Sequence, residues 1–134
     1  MKTIIFTFFC FLLSQSNNQI FELENIKNEY KKSQKINALL HNISNKNIFY
    51  YISLYSYDAD WREVISDIDN PNNRIVRFTK LGANNKILKK ISIKKTFNFL
   101  ENINFNKYKL VIKYKIDNDT TVRYFYSNEF KILK

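Results

Sequence analysis

Apolar and polar positions alternate with period two over much of this chain, and Asn- and Asp-rich clusters interrupt the alternation about every 8 to 15 residues, the pattern of short strands joined by turns. The clearest case is KYKLVIKYKI from Lys107, where Tyr108, Leu110, Ile112, Tyr114 and Ile116 share one face and Lys107, Lys109, Lys113 and Lys115 share the other. A strand with one face in a core and one in water writes this alternation. Asp117-Asn118-Asp119 follows as a turn, after which Val122, Tyr124, Tyr126, Phe130 and Ile132 share one parity, predicting a final strand folded back as a hairpin.

Upstream, Ile36, Ala38 and Leu40 alternate ahead of a turn over Asn42–Asn47. Ile48–Tyr55 (IFYYISLY) is β-branched and aromatic throughout, as expected of a central strand covered on both faces. Trp61–Ile68 reads as a strand ending in the turn Asn70-Pro71-Asn72-Asn73. Ile75–Phe78 and the series Ile87, Ile91, Ile93 predict two more strands around Gly82-Ala83-Asn84-Asn85, while Phe97–Phe105 is the least periodic stretch and reads as a helical turn between sheets. About seven to nine short strands at this spacing predict an all-β fold, an antiparallel sandwich, with an eight-stranded lipocalin-like barrel and an OB barrel as rivals.

The motifs, in order, are Tyr30, Ile36-Asn37-Ala38-Leu39-Leu40-His41-Asn42, Ile48 to Leu54, Trp61-Arg62-Glu63-Val64, a turn centred on Leu81, Tyr108-Lys109-Leu110-Val111-Ile112 and Tyr126-Ser127-Asn128-Glu129-Phe130-Lys131-Ile132. This series resembles the bacterial Ig-like domains that carry N-x-S after strand B, W-x-x-V, Y-R-L on strand F and a closing S-N-E-F-x-I strand. The likeness covers about residues 30–132. It departs at Phe105-Asn106-Lys107, where that family often has Pro-Gly, and at Lys109, where Arg is usual. It implies an Ig-like β-sandwich in an exported or cell-surface setting and no particular activity. Tyr108, opening its strand, sits where a tyrosine corner would fall, with a plain core tyrosine as the other reading; Trp61 reads as a core or sheet-edge aromatic.

The start of the chain adds a compartment. Lys2, the apolar run Thr3–Leu13 and the small residues of Ser14-Gln15-Ser16 have the three-part layout of a secretory signal, and the run falls short of the ~20 residues that span a bilayer. The expected division is a signal peptide over 1–16 and a single domain over 17–134, secreted, periplasmic or at the cell surface. Cys10, the one cysteine, lies inside the apolar run after Phe8-Phe9, where lipid attachment is not expected. Net charge is +10, and loss of Lys2 lowers it by one. A cysteine-free domain of this size has to stand on its apolar core.

Composition excludes most chemistry. One histidine and one cysteine cannot build a zinc centre of the usual sets, and a Ser-His-Asp arrangement would depend on His41, which reads as a strand-end residue. No catalytic or cofactor-binding residue is expected. Asp58, Asp60, Glu63, Asp67 and Asp69 concentrate acids in one stretch; they read as loop acids, with Ca²⁺ as the one cofactor they could hold, although the glycine and distal glutamate of an EF-hand loop are missing. Lys80, Lys86, Lys89, Lys90, Lys94 and Lys95, with the lysines of 107–115, could form a positive sheet face attractive to anionic glycans, lipids or nucleic acid; the plainer reading is that they keep outer faces and edges soluble. Export argues against nucleic acid, as do 4 arginines against 18 lysines. The sequons Asn42-Ile43-Ser44 and Asn118-Asp119-Thr120 fit chance in so Asn-rich a chain.

The sequence therefore predicts a non-enzymatic secreted Ig-like module that binds an exported protein or a glycan, with Tyr55, Tyr57, Asp58 and Asp60 as the candidate surface. A structural or envelope-associated accessory protein and an inhibitor of a secreted enzyme are the alternatives.

Overall fold

The alternating stretch from Lys107 lies at the middle of a five-stranded sheet. The structure, a computed structural model, describes residues 19–71, 75–97 and 107–133, of which 57% lie in strands. In chain order these are β1 (Phe21–Glu24), β2 (Glu29–Lys31), β3 (Lys35–Asn42), β4 (Ile48–Asp58), β5 (Asp60–Ile65), β6 (Thr79–Leu81), β7 (Lys86–Ser92), a one-turn helix α1 (Ile93–Phe97), β8 (Lys107–Ile116), β9 (Arg123–Tyr126) and β10 (Lys131–Leu133). The expected signal segment, the Asn72-Asn73 end of one turn and all of the expected 97–105 helical turn beyond Phe97 lie outside the described residues.

Three pairings organise the chain. β1, β3 and β7 form an antiparallel sheet in that order. β4 and β8 pair antiparallel over the length of both, β9 extends the sheet beyond β8, and the far edge of β4 is shared by β6 near its start and β5 near its end. β2 and β10 pair in parallel, the exception to the antiparallel rule among the described strands. Phe130 links this pair to β8 by two backbone hydrogen bonds with Tyr108, each 2.9 Å.

Both larger sheets turn apolar faces into one core. Phe21, Ile36, Ala38 and Leu40 from the first meet Ile52, Leu54, Leu110 and Ile112 from the second, all buried. Aromatic rings meet edge to face both between the layers, where Phe21 lies 4.6 Å from Tyr114, and within the β2–β10 ribbon, where Tyr30 lies 5.6 Å from Phe130. Each such fully buried apolar side chain contributes about 1.5–3 kcal/mol relative to exposure.

Strands are present where 36–40, 48–55, 87–93 and 107–116 predict them, while the one expected over Trp61–Ile68 ends at Ile65. β4 is buried on its inner face, but its other face is only partly covered: Phe49, Tyr51 and Tyr55 are half-buried and Tyr57 is exposed, against the expected cover on both sides. Several details differ. Ile75–Phe78 is not strand; pairing with β4 begins only at Thr79, and Ile75 is exposed. Ile93 opens α1 instead of closing β7. On β9 the buried parity is the reverse of the expected one: Phe125 packs on the core opposite Ile112, while Tyr124 and Tyr126 stand 53% and 55% exposed. Residues 127–129 leave the strand, and when pairing resumes the even positions Phe130 and Ile132 face inward. Two lysines expected on wet faces are not there. Lys113 is 8% exposed on β8, and Lys89 opposes Ala38 on the inward parity of β7, where its Nζ bonds Asp69 at 3.0 Å.

Candidate functional site

Register places the outer face of the five-stranded sheet residue by residue. Phe49, Tyr51, Tyr55 and Tyr57 of β4 oppose Lys115, Lys113, Lys109 and Lys107 of β8, so each aromatic side chain has a lysine as its cross-strand neighbour. Beyond β8, Tyr124 opposes Lys113 and Tyr126 opposes Val111. Beyond β4, Glu63 opposes Tyr55 and Trp61 opposes Tyr57. The β4–β5 register shifts between Leu54 and Tyr55, so that Val64 is the extra residue of a bulge; Ile65 therefore stays in the core while Glu63 and Trp61 reach the outer face.

An ammonium near a ring face is attracted by the ring's quadrupole, worth about 0.5–1 kcal/mol at an exposed site. Here the lysines are threaded through rings. The Nζ of Lys109 lies 4.2 Å from the centre of Trp61 and 4.5 Å from that of Tyr126, held between the two. Lys115 lies 4.2 Å from Phe78, and Lys107 lies 5.8 Å from Tyr57. Lys113 is enclosed by Tyr51, Tyr55 and Tyr124 at 5.4–5.8 Å and bonds the Glu63 carboxylate. Burial works to lower the Lys113 pKa, but the hydrogen bonds to Glu63 and Tyr55 and the charge of Glu63 overcome it, and the net direction is up. Tyr51 is pushed up by burial, against the pull of Lys113.

The charges on this face are therefore unequal. Glu63 neutralises Lys113, and Glu129 stands 3.8 Å from Lys107. No described carboxylate forms an ion pair with Lys80, Lys109 or Lys115. Two of these three, Lys109 and Lys115, are held against aromatic rings.

The four residues singled out in the sequence divide. Tyr55 and Tyr57 belong to this face. Asp58 and Asp60 oppose each other at the tip of the β4–β5 hairpin, where Ala59 takes φ 60°. The other acids of the cluster are engaged by the protein's own donors. Asp67 is buried and accepts the backbone N–H of Asp69 and of Arg77, Asp69 pairs with Lys89, and Glu63 with Lys113. Among the described residues no three His, Cys, Asp or Glu side chains are grouped to hold a metal ion.

Two motif residues have structural partners. His41 opposes Glu22 across β1–β3, with Nδ1 3.4 Å from its carboxylate. Asn42 is fully buried: its Nδ2 donates to the carbonyls of Lys46, Leu81 and Gly82, and its Oδ1 accepts from the Ser44 amide and hydroxyl. The first sequon is thus a clamp between two loops, with its amide nitrogen already occupied. Lys109 belongs to the positive sheet face that the Lys-x-Lys-x-Val-x-Lys alternation of β8 marks, while nothing in the pattern of residue types separates Tyr124 and Tyr126 from core tyrosines.

In comparisons with protein-family models, curated proteins and solved structures, the chain matches none. Among the described residues no helix is long and apolar enough to cross a membrane.

Proposed function

We propose that this chain is a secreted, non-enzymatic Ig-like binding module, and that its binding surface is the outer face of the five-stranded sheet. The observation that carries the proposal is the set of unneutralised lysines, Lys80, Lys109 and Lys115, on a face that also exposes Tyr57, Tyr124 and Tyr126. A face kept merely soluble has no use for half-exposed tyrosines, since aromatic side chains gain from being covered.

Strand order supports the Ig-like part. Taking β1, β3 and β7 as strands A, B and E, and β5, β4, β8 and β9 as C′, C, F and G, gives the two sheets of such a domain, and the parallel β2–β10 pair fits a displaced first strand running beside the last. The pairing of β6 with β4 is a departure from that scheme. The apolar run of Thr3–Leu13 followed by Ser14-Gln15-Ser16 supports export.

Two measurements test the reading. The mass of the protein recovered outside the cytosol is expected to correspond to a start near Asn17; a full-length chain confined to the cytosol overturns export. Acetylation of lysines by a membrane-impermeant reagent, on producing cells and on the purified protein, tests the surface. Lys80, Lys109 and Lys115 are expected to be protected in the native setting, and Lys31 and Lys90, which lie elsewhere, are not. Equal reactivity of all five in both settings overturns the face as a binding surface.

A further inference from the structure

The chemistry of the outer face narrows what it binds, and this step rests on the binding reading above. We infer that the face takes an acidic polysaccharide, a glycan chain carrying carboxylate or sulfate groups. On the face itself Lys109 and Lys115 have no described carboxylate partner, and the two carboxylates beside them, Glu63 and Glu129, are paired with Lys113 and Lys107; the exposed Asp58 and Asp60 lie at the hairpin tip, on the opposite parity of β4 and β5 from Tyr57 and Trp61. Lysines are among the residues that protein–protein interfaces avoid, so a row of them along the central strand of the sheet fits a polyanion better than a folded partner.

The rings decide between polyanions. Single-stranded nucleic acid needs open aromatic faces on which bases stack. Here ammonium groups already cover faces of Trp61, Tyr126 and Phe78, at 4.2, 4.5 and 4.2 Å. What the surface offers outward is ammonium held in place by rings, together with the half-exposed tyrosines Tyr124 and Tyr126. Ammonium and phenol are hydrogen-bonding groups suited to the carboxylates, sulfates and hydroxyls of an acidic sugar chain. Holding Lys109 between two rings also lowers the conformational entropy lost when an anion arrives, so the site is organised before binding.

The test is titration of the purified protein at low salt with polygalacturonate and dextran sulfate, with neutral dextran, polyglutamate and a single-stranded oligonucleotide alongside. Saturable, salt-sensitive binding to at least one of the two acidic polysaccharides is expected, polygalacturonate and dextran sulfate separating carboxylate from sulfate recognition. Neutral dextran is expected not to bind, and polyglutamate and the oligonucleotide to bind more weakly. Lys109→Gln, which removes one charge-assisted contact, is expected to weaken binding by about tenfold. Tyr126→Ala acts in the same direction, while Lys90→Gln leaves affinity unchanged. Each variant is checked for an unaltered β-sheet spectrum. Equal affinity for polyglutamate or the oligonucleotide, indifference to Lys109→Gln, or no binding to either acidic polysaccharide overturns the inference. Protection of Lys80, Lys109 and Lys115 on producing cells alongside such a result would leave the broader binding reading standing with a different ligand.

Discussion

Lys113 shows how one side chain can leave the surface without leaving its charge behind. Its place on β8 alternates with core residues, yet its ammonium is closed in by three tyrosines and the Glu63 carboxylate. Removing one member of such a pair costs more than replacing both, because the remaining charge is stranded. Glu63→Ala is expected to lower stability by about 1–2 kcal/mol, discounted because Glu63 is partly exposed, and the double variant Glu63→Leu/Lys113→Met to recover most of that loss in urea unfolding. Asn42 is the other polar residue on which local structure depends. Asn42→Ala leaves the Ser44 amide without its acceptor and takes one donor from the carbonyls of Lys46, Leu81 and Gly82, of which Lys46 keeps the Ser44 hydroxyl and Gly82 the Asn85 amide; a loss of about 1–3 kcal/mol by the same measurement is expected. At the β4–β5 tip the sign reverses: Ala59 holds φ 60°, a conformation that costs an L-residue about 1 kcal/mol, so Ala59→Gly is expected to raise stability by about that amount.

At the scale of elements, the strands that the residue pattern revealed are those with a partner along their whole length. β3, β4 and β8 each have neighbours on both sides; β3 and β8 carry the period of two that one buried face imposes, and β4 shows instead as an unbroken β-branched and aromatic run. β1 and β2, with four and three residues, are too short to write a pattern and went unassigned. β9 was assigned the wrong inward face because Tyr124 and Tyr126 look as apolar as Phe125 to a pattern of residue types; only the register with Ile112 distinguishes them. The candidate surface was half visible. Tyr55 and Tyr57 stand out in the sequence, but their lysine partners, Lys109 and Lys107, come from a strand 50 or more residues away, a juxtaposition that needs the β4–β8 register. The likeness of Lys113 to its neighbours Lys109 and Lys115 hid its burial for the same reason. Tyr30 gives this scale its prediction. Its hydroxyl accepts from the Lys27 amide and donates to the Asn25 carbonyl, bracing the loop that delivers β2 to β10. Tyr30→Phe is expected to cost about 1 kcal/mol and to raise hydrogen exchange first at the Lys131 amide, which bonds Asn28, while the β4–β8 amides keep their protection.

For the molecule as a whole, the tyrosines and lysines that folding shifts all point one way at high pH. Burial raises Tyr50, Tyr51 and Tyr114. For Lys89 burial works downward, but Asp69 and Tyr50 outweigh it, and Lys113 is raised likewise through Glu63 and Tyr55. Each therefore holds its proton more tightly folded than unfolded. Their combined contribution is whole below the unfolded values near pH 10 and is lost as pH rises through the folded ones. The urea midpoint is expected to stay level between about pH 7 and 9 and to fall steadily above about 10; a midpoint that holds or rises there contradicts the assignment.

The parallel pairing of Glu29–Lys31 with Lys131–Leu133 has a consequence for biosynthesis. The early strand waits for a mate that is made about 100 residues later, so the seam cannot zip until Lys131–Leu133 has left the ribosome. Until then Tyr30 and Phe130 cannot meet. The two larger sheets, whose strands are all synthesised by Tyr126, can pair before that, so this seam is the last part of the fold to close.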